Sequence, residues 1–114
     1  IIVISNQGGI AKGIYTREDT EKTNARILEL LALHNLYPEE IYYCPHHPDY
    51  GLCICRKPGS LMLEKAISRF RINASKSFFI GDRETDMEAG AKAGLQTIKV
   101  SANQNMKKLI GLFN

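Results

Sequence analysis

The chain has 114 residues, a formal charge of +3, 44% apolar residues and 24% charged residues. That length suits one domain around a single core, and the composition is ordinary for a globular protein. The positive charge is too small, and too scattered, to propose nucleic acid or a membrane surface as partner. No apolar run approaches a membrane span, and the first residues lack the basic-then-apolar pattern of a secretory signal.

Ile1 to Ile4 is a short β-branched run that breaks at Ser5-Asn6-Gln7-Gly8-Gly9, which predicts a buried strand ending in a loop. Thr16, followed by Glu18 and Asp19, predicts an N-cap and a helix with Ala25, Leu28, Leu31 and Ala32 on its apolar face. Asn35 and Pro38 end it. Ile41 to Tyr43 reads as a second strand. Beyond Pro58-Gly59-Ser60, the spacing of Leu63, Ala66, Ile67 and Phe70 predicts an amphipathic helix. Ser77 to Ile80 is a third strand running into Gly81-Asp82. Thr85 and Glu88 suggest a second capping box, opening an Ala/Gly-rich helix that stops at Gly94. Gln96 to Val100 is a fourth strand, and a weak helix is expected from about Asn103. This alternation predicts an α/β fold with a parallel sheet and right-handed crossovers. Ligands of such sheets bind at the carboxyl ends of the strands, where Ser5, Cys44 and Asp82 fall.

Between the second strand and the second helix lie Cys44-Pro45-His46 and Cys53-Ile54-Cys55-Arg56-Lys57-Pro58, holding all three cysteines of the chain. Three thiolates and an imidazole make a closed four-coordinate shell, which predicts a structural zinc site on Cys44, His46, Cys53 and Cys55. His47 is a rival to His46. A disulfide with a spare thiol is the alternative, but an odd count and a C-x-C spacing argue against it. Reduced, metal-binding thiols fit a cytoplasmic protein.

Three further clusters stand at the strand ends. Ser5-Asn6-Gln7-Gly8-Gly9 offers a hydroxyl and successive backbone N–H groups to an oxyanion, although such stretches are more often plain turns. Arg56-Lys57 is either a solvated basic pair or a cation pair fixed by the metal loop and Pro58. Asp82 follows a strand directly and can take a hard cation such as Mg²⁺; stabilising a helix N-terminus suits Glu84 and Asp86 better.

Together these clusters resemble the haloacid dehalogenase superfamily of phosphatases, in its subgroup with a zinc-binding loop. The resemblance runs from Ile1 to about Val100. Ser5-Asn6 resembles the family's second motif, Lys57 its third, and Gly81-Asp82 through Asp86 its fourth. Two groups share Cys44-x-His46…Cys53-x-Cys55-Arg56-Lys57-Pro58: the D-glycero-D-manno-heptose 1,7-bisphosphate phosphatases and the histidinol-phosphate phosphatases. Asn6-Gln7-Gly8-Gly9-Ile10-Ala11-Lys12-Gly13 resembles the heptose group, whereas Gly81-Asp82-Arg83-x-Thr85-Asp86 is closer to the histidinol group.

The resemblance implies a Rossmann-like three-layer sandwich and a Mg²⁺-dependent phosphomonoesterase of carbohydrate metabolism, best fitted to heptose 1,7-bisphosphate. It implies that Ser5 and Lys57 hold the transferring phosphoryl group and that Asp82 binds Mg²⁺. Asn6, Gln7, Gly8, Arg56 and Arg83 would contact the rest of the substrate, with Arg56 suited to a second phosphate. Asp86 would brace the loop. The expected partner is a small phosphorylated metabolite, taken by a monomer.

The family's first motif is Asp-x-Asp, nucleophile then general acid, on a central strand. The four aspartates here (Asp19, Asp49, Asp82 and Asp86) include no pair at that spacing. That strand belongs between the strands at Ile1–Ile4 and Ser77–Ile80. Residues 1–114 are therefore expected to be one phosphatase domain lacking its amino-terminal part, with a slot mid-sheet and no activity alone. A catalytically dead, zinc-stabilised module that binds phosphate or protein is the alternative.

Overall fold

The computed structural model describes residues 1–107 and 109. In chain order it has β1 (Ile2–Asn6), α1 (Arg17–Ala32), β2 (Glu40–Cys44), α2 (Leu61–Phe70), β3 (Phe78–Gly81), α3 (Glu84–Lys92) and β4 (Gln96–Lys99). Short 3₁₀ turns stand at Pro48–Tyr50 and Ala74–Lys76. The expected closing helix falls largely on residues outside those described.

β1 and β2 pair in parallel with Ile2 opposite Glu40 and Asn6 opposite Cys44, and β3 and β4 pair in parallel with Phe78 opposite Gln96. The first ladder continues into the loop, where the Gln7 N–H donates to the Cys44 carbonyl at 2.7 Å. Strands β1 and β2 run further than their apolar stretches, so Ser5, Asn6 and Cys44 sit inside paired strand rather than beyond it. This fixes their backbone.

The two pairs do not join: among the described residues no ladder connects β1 with β3. A cavity of about 240 Å³ lies at the seam, lined by Ile2 and Ile4 of β1, Leu63 and Ala66 of α2, and Phe78 and Phe79 of β3. The sheet is thus interrupted where the sequence resemblance places a missing strand. Two-stranded sheets are marginal by themselves, so each pair leans on a helix. Helix α2 packs on β1 and β2, and α3 on β3 and β4. Met62, Leu63 and Ala66 of α2 and Ala89 of α3 are buried, with Cys44, as the apolar core. Burial of Met62 and Leu63 stabilises by roughly 1.5–3 kcal/mol each.

Two expectations need correction. Helix α1 begins as read, with the Asp19 N–H donating to Thr16 Oγ1 at 3.0 Å and the Thr16 N–H donating to Asp19 Oδ2 at 2.9 Å. Its expected apolar face is only partly covered, however, with Leu31 and Ala32 half-buried. Leu28 is 41% exposed, Ala25 is exposed, and Thr20 is the buried residue of the helix. Helical periodicity reports which residues share a side, not whether another layer covers it. Helix α3 starts at Glu84, before Thr85, and the acid at its third position is Asp86 rather than Glu88. The Asp86 carboxylate reaches back to accept the Arg83 N–H at 3.1 Å, so the turn closes as soon as β3 ends.

Candidate active site and metal centre

The ends of β1 and β2, the loop from Pro45 to Ser60 and the β3–α3 turn meet through side chains. Asn6 makes the central link. Its Oδ1 accepts the Lys57 N–H at 3.1 Å and its Nδ2 donates to the Lys57 carbonyl at 3.4 Å. One amide therefore clamps both backbone groups of Lys57, across 51 residues of sequence. The Lys57–Pro58 peptide is cis.

From that anchor, Lys57 Nζ lies 2.5 Å from Asp86 Oδ1 and 5.9 Å from the centre of the Phe79 ring. The two side chains are 12% and 6% exposed. At such burial neither charge is tolerated alone, so each fixes the other. Asp86 Oδ2 meanwhile accepts the Arg83 N–H, which splits one carboxylate between the cation and the helix start. This leaves Asp82 free of that duty. Its exposed carboxyl follows Gly81 at the carboxyl end of β3, the position from which a hard cation is held by one carboxylate plus substrate oxygens.

Ser5 lies next to Asn6 at the end of β1. Its Oγ accepts a hydrogen bond from Gln7 Nε2 at 2.8 Å, and Gln7 Oε1 accepts one from Tyr15 Oη at 2.6 Å. Gly8 is pressed against the metal loop: a Cβ there would stand 2.9 Å from His47 Cδ2 and 3.0 Å from Arg56 Nη1. A larger residue there would make both side chains give way. Arg56 in turn donates to the His46 carbonyl at 3.2 Å. Arg83 is exposed.

The four expected metal ligands converge. One donor atom each from Cys44, His46, Cys53 and Cys55 lies within 4.8 Å of the others, so the cluster can hold a metal ion. Cys44 Sγ is 3.4 Å from His46 Nδ1 and 3.7 Å from Cys53 Sγ, and His46 Nδ1 is 3.2 Å from Cys55 Sγ. All three cysteines are free, in keeping with a metal site rather than a disulfide. His47 is not a member: its Nδ1 instead accepts the Asp49 N–H at 3.2 Å. Burial, and then the Cys55 hydrogen bond, push the Cys44 thiol up to about 12. Such a thiol loses its proton only to a positive charge placed beside it. For Cys53 burial acts in the same direction, but the Arg56 N–H and the neighbouring thiols outweigh it and hold the thiol below its usual value.

The sequence reading placed Ser5, Lys57, Asp82 and the four metal ligands, and the fold gathers them at one end of its strands. Tyr15, whose hydroxyl reaches Gln7, was not among the expected residues. Nor was it expected that Asn6 acts on the backbone of Lys57, a contact with no signal in local spacing.

This arrangement has counterparts. A D-glycero-D-manno-heptose-1,7-bisphosphate 7-phosphatase of Chlorobaculum tepidum is 42% identical over 120 residues, covering 96% of this chain and 60% of that protein. A D-glycero-beta-D-manno-heptose-1,7-bisphosphate 7-phosphatase of Pseudomonas putida is 36% identical over 109 residues, covering 96% and 62%. Among solved structures, a D,D-heptose 1,7-bisphosphate phosphatase from B. bronchiseptica, complexed with magnesium and phosphate, superposes with a TM-score of 0.79. It is 29% identical, over 84% of this chain and 53% of that one. The chain thus spans a little over half the length of these three relatives. The family model described as HAD-hydrolase-like matches residues 54–111, the stretch that carries Arg56, Lys57, Asp82 and Asp86. With that match and the strand-end geometry together, the chain belongs to the haloacid dehalogenase-like hydrolases.

Proposed function

We propose that these 114 residues are the phosphate-cradling part of a Mg²⁺-dependent phosphatase domain that acts on heptose 1,7-bisphosphate in the cytoplasm, as a monomer. The observation that carries this is Lys57, half-buried, clamped by Asn6 through its backbone and by Asp86 through its charge, at the strand end that also presents Ser5. A solvated basic residue needs neither clamp. A cation held to receive a phosphoryl group needs both, because preorganised charge stabilises the transition state without reorganising.

In this reading the nucleophile and the general acid stand on an Asp-x-Asp strand outside this chain, seated in the seam between β1 and β3. The nucleophilic carboxylate attacks phosphorus, and water hydrolyses the resulting acyl phosphate. Ser5 and Lys57 hold the oxygens of the transferring group as charge spreads over them. Arg56, beside Gly8, takes the non-reacting phosphate through its planar fork. Gln7, Gly8 and Arg83 face the remainder of the substrate, and Asn6 acts through Lys57. Magnesium, when bound at Asp82, would supply charge neutralisation at the phosphoryl oxygens.

The cysteine cluster suits zinc. Tetrahedral Zn²⁺ with Zn–S near 2.3 Å and Zn–N near 2.0 Å requires S···S of about 3.8 Å and S···N of about 3.5 Å. The separations of 3.7, 3.4 and 3.2 Å fit that cage. With four protein ligands it has no open position, so its role is to fix the loop bearing Arg56 and Lys57.

The test is phosphate release by the full-length protein, with and without Mg²⁺, from heptose 1,7-bisphosphate and from histidinol phosphate. Mg²⁺-dependent turnover favouring the bisphosphate is expected, and none from the 114-residue chain alone. Preference for histidinol phosphate would overturn the substrate. Turnover by the short chain would overturn the division of labour.

A further inference from the structure

The dipeptide Lys57-Pro58 has three backbone groups able to form hydrogen bonds, because proline carries no N–H. All three are held by side chains from distant elements. Asn6 of β1 takes two: its Oδ1 accepts the Lys57 N–H at 3.1 Å, and its Nδ2 donates to the Lys57 carbonyl at 3.4 Å. The third is the Pro58 carbonyl, which accepts a hydrogen bond from Lys92 Nζ of α3 at 3.2 Å. The direction of that last bond is fixed by chemistry, since an ammonium only donates and a carbonyl only accepts.

These holds are unequal. The bond from the Lys57 N–H lies within the ordinary range, whereas the 3.4 Å bond lies beyond it. Asn6 therefore fixes the amino side of Lys57 firmly and its carbonyl side loosely. One residue on, Lys92 supplies a shorter bond whose donor is charged. Lys92 is an exposed residue in the last turn of α3, where the plain role of a lysine is to offset the helix dipole. That role needs no partner outside the helix, yet Lys92 reaches across 34 residues of sequence to one. On the same helix, Asp86 takes the Lys57 ammonium. Helix α3 thus holds the ammonium with an acid and the next carbonyl with a cation.

We propose that Lys92 is a positioning residue: by holding the Pro58 carbonyl to α3, it keeps the Lys57 ammonium aimed at the phosphoryl group. The proposal rests on the phosphatase reading, in which Lys57 receives phosphoryl oxygens, and adds to it a residue at the far end of α3. Lys92 touches no substrate. Lys57 acts most strongly once charge has spread in the transition state, so its displacement lowers kcat more than it raises KM.

The experiment compares Lys92→Met, Lys92→Arg, Lys57→Ala and the Lys92→Met/Lys57→Ala double variant in the full-length protein, with Mg²⁺ and heptose 1,7-bisphosphate. Lys92→Met keeps the aliphatic stem and removes the donor. It should lower kcat about three- to tenfold, the scale of one hydrogen bond, with KM and the melting temperature nearly unchanged. Hydrogen exchange should rise at the Lys57 amide and not along α3. Lys92→Arg, which still donates, should keep kcat near wild type. In the Lys57→Ala background, Lys92→Met should cause no further loss.

Wild-type kcat for Lys92→Met, beside a crippled Lys57→Ala, would overturn the proposal and leave the phosphatase reading standing. Equal losses in both backgrounds would overturn it by showing that Lys92 acts independently of Lys57. So would exchange rising throughout α3 with a lowered melting temperature, the mark of a helix-stabilising role. If Lys57→Ala itself turns over as wild type does, the phosphate site is misassigned and the proposal falls with it.

Discussion

The loop from Pro45 to Ser60 and the unit β3–α3–β4 both hold site residues in place, by opposite means. In β3–α3–β4 the means is burial. Ala89 and Gly90 are enclosed against the strands, and a Cβ on Gly90 would come within 3.1 Å of Phe79 Cδ1. The loop has almost no core: Tyr50, Leu52 and Ile54 are 66%, 101% and 77% exposed. What gathers it is the set of four donors on Cys44, His46, Cys53 and Cys55. A packed unit tolerates loss of one contact, whereas a loop closed by one ion loses its shape with that ion. Lys57 stands where the two meet, clamped by Asn6 on one side and Asp86 on the other.

The largest expected effect is therefore metal removal. Exhaustive chelation, or Cys44→Ser, should abolish turnover and raise hydrogen exchange through residues 45–58 while β3–α3–β4 stays protected. Structural zinc contributes about 10–16 kcal/mol in peptide systems, so nothing else in the loop can compensate. Uniform loss of protection would show that the two regions are one cooperative unit. One equivalent of zinc by elemental analysis of chelator-free protein is the companion result.

Next is Asp86→Ala, which leaves the Lys57 ammonium buried without a partner and removes an acceptor from the start of α3. A destabilisation of about 3–5 kcal/mol is expected from denaturant melts. Asp82→Asn should differ sharply, abolishing Mg²⁺-dependent turnover with an unchanged melt, because its carboxylate is exposed.

Lys57→Ala should lower turnover about 10²–10³-fold, the scale of losing one preorganised charge at a transition state. Arg56→Ala should mainly raise KM for the bisphosphate and spare simple monoesters. Lys76→Ala, at a 3₁₀ turn before the amino end of β3, is the control. Identical kinetics for the Lys57 and Lys76 variants would remove the phosphate site and leave only the metal scaffold.

The smallest effect concerns α1. The Thr16 N–H, and then the Thr16 hydroxyl, hold the Asp19 carboxyl below its usual value. A depressed acid contributes stability that is present above its unfolded pKa, near 4, and is lost as pH falls through the lower folded value. Thr16→Ala removes the second of those two bonds and keeps the first, so a small loss of stability is expected at pH 7 and a smaller one at low pH, read from urea melts at both.

Much of this was legible in the chain because the chemistry is local. Strands announced themselves as short β-branched or aromatic runs, and the metal ligands as four donors on two tight turns. What escaped was long-range. The exposure of Leu28 depends on whether any layer covers α1, which periodicity cannot state. Thr85 looked like the cap of α3 because Glu88 follows it at capping-box spacing, but Arg83 and Asp86 stand at the same spacing two residues earlier, and Asp86 accepts the Arg83 N–H. The contacts of Tyr15 depend on the missing side chain of Gly9, a fit visible only in three dimensions.

In the proposed reading Lys57 and Ser5 form one phosphate cradle beside a seam that receives a strand. The most direct measurement is a crystal structure of the full-length protein with Mg²⁺ and inorganic phosphate. Phosphate oxygens should lie within about 3 Å of both Ser5 Oγ and Lys57 Nζ, with the cation on Asp82 and an Asp-x-Asp strand paired between β1 and β3. Phosphate bound away from Lys57, with β1 and β3 still unbridged, would contradict it.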